Sequence, residues 1–220
     1  MIQKALGEGR TTLSEYEAKL LLASYGLPVA REIPVYESRN LTSAAREIGY
    51  PVVLKGCAAG IAHKTEKDLV RVDIRNDSEA EAAFGEITAK MNSTAGFVLV
   101  QEMVKGEREL MVGMTRDPQF GPCVMFGLGG IFTEVLKDVS FRMAPLSPGD
   151  ATDMMSQIRG HRILNAVRGM GSVNRDELAE ILIRVGRIGL ENERIKEIDI
   201  NPLIIRGGSP IAVDALVVLG

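Results

Sequence analysis

The 220-residue sequence has no tryptophan, only two cysteines and two histidines, and only 5% of its residues are aromatic. So few rings disfavour a single-strand nucleic-acid binder, which stacks bases on aromatic side chains. There is no basic excess either: 26 Lys and Arg against 29 Asp and Glu leave a net charge of −3, which argues against nucleic acid as a partner. Cys57 and Cys123 cannot build a disulfide framework and lack metal-ligand spacing, so they read as two reduced, buried thiols of a cytoplasmic protein. No run of about 18 apolar residues exists, which excludes a membrane-spanning helix. The opening stretch MIQKALGEGRTT has no apolar segment of the kind a secretory signal needs. Internal repeats and low-complexity segments are absent as well.

What is present is an ordinary globular balance of 45% apolar and 25% charged residues, with 23 glycines as the one excess. Ser14 and Glu17 have capping-box spacing ahead of a helix with a Leu20, Leu21, Tyr25 stripe, ended by Gly26 and Pro28. A strand over Val29–Val35, a helix capped by Asn40 and a short buried strand at Val52–Leu54 follow. A strand over Leu69–Ile74, a helix started by Ser78 with Glu81, and a strand over Phe97–Met103 complete a β-α-β-β-α-β lobe. Beyond it the pattern predicts strands at Glu109–Met114, Cys123–Phe126, Phe132–Leu136 and Ser140–Met143, then helices at Asp150–Ile158 and Arg162–Val167. Asn174 and Glu177 cap a long helix with the stripe Leu178, Ile181, Leu182, Val185, Ile188, and strands Ile195–Ile200 and Ile211–Val218 close the chain.

Three groups of residues invite chemistry. Strand alternation puts Glu197, Asp199 and Asn201 on one face, and pairing with Ile211–Val218 brings Asp214 opposite Asp199 or Asn201. Such an oxygen set suits either Mg²⁺, with phosphate and water completing its shell, or a merely solvated strand face. Lys55 follows a buried strand, where an ammonium needs an anion, either a phosphate or a carboxylate; Glu102 ends the last strand of the lobe, where the connecting backbone could meet an adenine edge, and it and Glu109 read otherwise as surface charges. The small-residue loop Gly56–Gly60 leads to His63 and Glu66; it does not fit the P-loop pattern, and Gly127-Leu128-Gly129-Gly130 is not a dinucleotide fingerprint.

Taken in order, VVLKG, AHKTE, VQEMVKGERELMVG, FGLGGIFTEVLKDVSFRMAPLS, EIDINPL and VDALVVL resemble the ATP-grasp (beta) subunit of ADP-forming acetate–CoA ligase, within the nucleoside-diphosphate-forming acyl-CoA synthetases. The resemblance runs from about Leu13 to Leu219. It implies an α+β ATP-grasp fold of two α/β lobes with the nucleotide site between them. The smaller lobe is expected over 27–104, and the larger lobe, with the metal site, over 1–26 and 105–220.

Carried over residue by residue, the resemblance makes Lys55 the phosphate-binding lysine, Gln101, Glu102, Met103 and Val104 the hinge that meets adenine, and Glu109 a candidate for the ribose side. Asn201 and Asp214 resemble the magnesium ligands, with Asp199 as an adjacent candidate. His63 resembles a histidine that transiently carries the phosphoryl group, and Glu66 would orient it. The implied cofactors are ATP/ADP and Mg²⁺, and the implied partner is a CoA-binding alpha subunit, in a hetero-oligomer such as α2β2, with no nucleic acid and no membrane. A self-sufficient ATP-grasp carboxylate ligase and a non-catalytic ATP-binding regulatory module are the alternatives. Asp68 and Leu69 depart from the two glycines the family often has after its H-K-[ST]-[DE] motif, and a carboxylate at 68 would oppose a phosphohistidine nearby.

Overall fold

The structure is a computed structural model and describes residues 1–58, 68–91, 96–106, 108–130, 138–167 and 169–220. The chain divides into two compact units, Met1–Val29 with Val104–Gly220, and Ala30–Met103. The division falls at Ala30 rather than at residue 27. Leu27 belongs to the larger unit's core, Val29 forms a parallel bridge with Ala212, and the Ala212 amide donates to the Pro28 carbonyl.

The chain opens with α1 (Ile2–Gly7) and α2 (Glu15–Ser24), both in the larger unit. The capping box at the start of α2 is complete: the Glu17 amide donates to Ser14 Oγ at 3.3 Å, and the Ser14 amide donates to Glu17 Oε2 at 2.8 Å. Arg10 grips the same carboxylate with both terminal nitrogens, at 2.6 and 2.9 Å. That pair, with the Ser14 bonds behind it, holds the Glu17 carboxyl down at about 2. The buried face of α2 is not the expected leucine stripe. Leu20 is exposed, and Glu15, Ala18, Lys19 and Leu22 point inward at i, i+3, i+4, i+7 spacing, joined by Leu21.

The smaller unit is an antiparallel sheet in the order β1-β4-β2-β3, made of β1 (Glu32–Val35), β2 (Val52–Ala58), β3 (Val70–Ile74) and β4 (Gly96–Glu102). Its core joins Ala45 and Ile48 of α3 (Leu41–Ile48) and Ala83 and Ile87 of α4 (Asp77–Lys90) to Val52, Leu54, Val98 and Val100 of the sheet. Asn40 does not cap α3; it already has helical dihedrals as the last residue of a 3₁₀ turn, whereas a capping residue is extended. The cap of α4 is Asn76, whose side chain accepts from the Glu79 amide at 3.0 Å, two residues ahead of the expected Ser78.

The larger unit holds a six-stranded antiparallel sheet in the order β10-β8-β5-β6-β7, with β9 on β8. Its strands are β5 (Glu109–Asp117), β6 (Gly121–Leu128), β7 (Val139–Met143), β8 (Ile195–Arg206), β9 (Ser209–Ala212) and β10 (Leu216–Leu219). Val112, Phe126, Ile198 and Ile200 pack on Met154 and Met155 of α5 (Pro148–Gln157) and on the full predicted stripe of α6 (Arg175–Glu191). The cap of α6 is Asn174, as the spacing requires.

Where a helix over Arg162–Val167 is expected, only a 3₁₀ turn, His161–Leu164, forms. The Arg108 guanidinium, from a residue 5% exposed, takes the carbonyls of Ile163 and Asn165 in this segment and of Gly171 beyond it. The expected strand at 132–136 lies outside the described residues. Cys57 is buried, whereas Cys123 is only half-buried. No helix among the described residues is long and apolar enough to cross a membrane.

Candidate functional site

The C-terminal strands differ from the expectation in the way that matters most. Instead of one strand over Ile211–Val218, the ladder on β8 is interrupted at 213–215, between β9 and β10. The register nevertheless continues across the gap. Ala212 faces Leu203 and Leu216 faces Asp199, so Asp214 comes level with Asn201 midway between them. In the gap the Val213 amide donates to the Pro202 carbonyl at 3.3 Å, and the Ala215 amide donates to Asp214 Oδ1 at 2.8 Å. A ladder residue uses its main chain on its neighbour strand; a residue in the gap is released from that pattern.

Asp199 stands two residues before Asn201 on the same strand face, opposite the buried Ile198 and Ile200. Its Oδ1 is buried and makes no hydrogen bond among the described residues. Burial first, then the neighbouring charges of Glu197 and Asp214, push its carboxyl up to about 6. Two carboxylates and one amide oxygen thus gather on this stretch of β8 and the gap beside it, where burial and like charge disfavour the Asp199 anion. Among the described residues no three His, Cys, Asp or Glu side chains could hold a metal by themselves. A cation here would draw on Asn201 and complete its shell from a phosphate and water.

The Gly129-Gly130 turn closes on the same place. The Gly130 amide donates to Asn201 Oδ1 at 3.5 Å, and the Gly129 amide donates to the Glu109 carbonyl at 2.9 Å. A Cβ on Gly129 would stand 2.6 Å from the Leu110 carbonyl oxygen. Gly130 has a φ of +62°, and a Cβ there would run into Glu109 Oε2. Glu109 and Asn201 are therefore neighbours around one glycine turn, a juxtaposition that motif order alone did not reveal.

In the smaller unit, Lys55 sits inside β2 rather than after it, facing Leu99 on one side and Val70 on the other, and is only 6% exposed. Gln101 is buried at the end of β4. The Glu102 carboxylate accepts from the Arg31 amide at 2.9 Å. Met103 ends the smaller unit and Val104 begins the second part of the larger one, so the predicted hinge segment is a covalent connection between the two.

His63 and Glu66, together with Glu134 and Lys137, lie outside the described residues. The Asp68 carboxylate is paired with Arg71, at 2.8 Å, and with Lys90; its expected opposition to a phosphohistidine concerns His63, which lies outside the described residues. The Asp68 φ of +53° is in the left-handed region that favours glycine.

Sequence reasoning assigned no role to the buried Asp138, which accepts from the Arg159 and Gly160 amides at 2.7 Å each, and it missed two further buried features, Arg108 and the Glu15–Lys19 pair. The last was detectable, because Glu15 and Lys19 are four apart and share a helix face with Ala18 and Leu22.

A family model described as an ATP-grasp domain matches residues 4–219. The chain belongs to the ATP-grasp domain family. This ATP-grasp chain is 45% identical over 224 residues to the beta subunit of acetate–CoA ligase (ADP-forming) I of Pyrococcus furiosus, covering all of this chain and 96% of that one. It is 39% identical over 228 residues to acetate–CoA ligase (ADP-forming) I of Archaeoglobus fulgidus, covering all of this chain but 33% of that longer one. Among solved structures it resembles the dinucleotide-forming acetyl-coenzyme A synthetase 1 of Ca. Korarchaeum cryptofilum, with a TM-score of 0.88 and 42% identity over 99% of this chain and 97% of that one. That structure contains coenzyme A and Mg-AMPPCP, with a phosphohistidine segment pointing towards the nucleotide binding site.

Proposed function

We propose that this chain is the nucleotide-binding beta subunit of an ADP-forming acyl-CoA synthetase of the acetate–CoA ligase type. It exchanges a phosphoryl group between a histidine and ADP/ATP. A beta subunit 45% identical over its full length supports the reading. The structural observation that carries it is the interrupted ladder that brings Asp214 level with Asn201, beside an oxygen of Asp199 that is buried and makes no hydrogen bond among the described residues.

Asn201 and Asp214 would hold Mg²⁺, with Asp199 adjacent. When bound, the ion supplies charge neutralisation for the phosphate oxygens in transfer. Lys55, a buried ammonium, binds nucleotide phosphate, where its charge is worth more than in water. Backbone groups of Gln101, Glu102, Met103 and Val104 meet the adenine edge, and Glu109 takes the ribose side.

The acyl group enters as acyl-CoA on a CoA-binding alpha subunit, in a hetero-oligomer of α2β2 type in the cytoplasm. There, phosphate displaces CoA to give an acyl phosphate, and a histidine of that subunit takes the phosphoryl group as the P–O bond to the acyl oxygen breaks and the free acid leaves as its carboxylate. Neutral His63, with a lone pair available near pH 7, accepts it and passes it to ADP. Glu66 orients the ring and raises its basicity. The Archaeoglobus relative carries the matching stretch within a chain about three times as long, which is consistent with partner functions supplied beside this one.

The test pairs this chain with its CoA-binding partner, acetyl-CoA and labelled phosphate. Acid-labile, base-stable label on His63, abolished by His63→Asn, supports the relay. Robust acyl-CoA synthesis by this chain alone from acetate, CoA and ATP would remove the subunit reading.

A further inference from the structure

Glu15 and Lys19 are each 1% exposed in their side chains and bond to one another at 2.7 Å inside α2. Taking an ammonium and a carboxylate out of water is expensive, and two apolar side chains of similar volume would often serve stability as well or better. What apolar side chains would not supply is a donor. Lys19 Nζ also reaches the Val213 carbonyl at 3.4 Å, 194 residues further along the chain. Val213 opens the gap between β9 and β10 that presents Asp214. Its amide is held by Pro202 and its carbonyl by Lys19, so the gap is pinned to β8 on one side and to α2 on the other.

We propose that Glu15 and Lys19 are positioning residues for Asp214. Lys19 fixes the main chain just before Asp214, and Glu15 keeps the ammonium aimed at it. The inference rests on reading Asn201 and Asp214 as cation ligands. Residues that orient metal ligands from behind typically change metal affinity 10–100-fold when removed.

The experiment uses the full chain and Mn²⁺ alone as probe, followed by electron paramagnetic resonance titration, with melting temperature measured on the same samples. Glu15→Gln/Lys19→Met keeps the volume and removes the charges and the donor. The expected result is a folded chain whose Mn²⁺ affinity is weaker by about tenfold or more, with faster hydrogen exchange at the Ala215 amide. If that variant does not fold, Glu15→Gln/Lys19→Gln takes its place, because glutamine is one atom shorter than lysine and falls short of Val213. Asp214→Asn in the otherwise native chain is the control. A weakened Asp214→Asn beside a folded double variant with native Mn²⁺ affinity overturns the positioning role. Native affinity in Asp214→Asn instead overturns the ligand reading on which the role depends.

Discussion

Replacing Asp199 with asparagine should stabilise the metal-free chain, and the gain should depend on pH. The Asp199 carboxyl titrates at about 6 in the folded chain against 3.8 for an unperturbed aspartate. Between those values the folded state still binds a proton that the unfolded chain has released. Stability contributed by this group is therefore greatest in acid and declines as pH rises towards and through 6. The decline is up to about 1.4 kcal/mol per pH unit and about 3 kcal/mol in all. That figure is a ceiling, because water reaching a half-buried residue screens part of it.

Asparagine cannot ionise, so the Asp199→Asn chain should gain on the native one between pH 4.5 and 7.5 in EDTA. The gain should approach roughly 5–10 °C in melting temperature for a chain of this size. Saturating Mg²⁺ should shrink it, because a cation meets the same demand. A difference between variant and native chain that stays constant across this range would refute the reasoning.

Three other expectations follow from the geometry. Glu17→Gln removes the Arg10 pair and weakens the capping box, for a loss of about 1–2 kcal/mol at neutral pH. Because the Glu17 carboxyl is held low, at about 2, the difference from the native chain should vanish as urea melts are moved down through pH 4 towards 2. Gly129→Ala drives a methyl group into the Leu110 carbonyl and should cost about 1–3 kcal/mol. It should also loosen Mg²⁺-dependent ADP binding, seen by calorimetry, and a native melting temperature would show that the turn yields. Lys55→Met should leave the fold intact by circular dichroism and weaken ADP binding at least tenfold; native affinity would take Lys55 out of the phosphate site.

Periodicity was a good guide wherever it was regular and local. The α6 stripe and its Asn174 cap, the Ser14–Glu17 box and the β-α-β-β-α-β order of the smaller unit all follow from spacing within one element. It failed where a distant side chain overrides the local pattern. Arg108 holds the Ile163 and Asn165 carbonyls in the segment after Gly160, where a single 3₁₀ turn forms in place of the expected helix. The gap at 213–215 is invisible in IAVDALVVL, because its apolar run reads as one strand until β8 is seen to hold two separate partners. The residues proposed to hold a cation were legible as types, but their placement depended on that gap. Lys19 escaped notice because a charged residue on a buried helix face violates the binary pattern used to find such faces.

The smaller unit is spliced into the chain of the larger one between Val29 and Val104. Its two ends meet: Glu32 pairs with Gln101, and the Glu102 amide donates to the Arg31 carbonyl. A folded insert whose entry and exit coincide behaves, for its host, as a short connection, so the host's closure entropy is nearly that of an uninterrupted turn. Evolutionary tinkering or deliberate truncation inside the insert is thereby insulated from the host, and a short flexible bridge in its place should leave the remaining body able to fold.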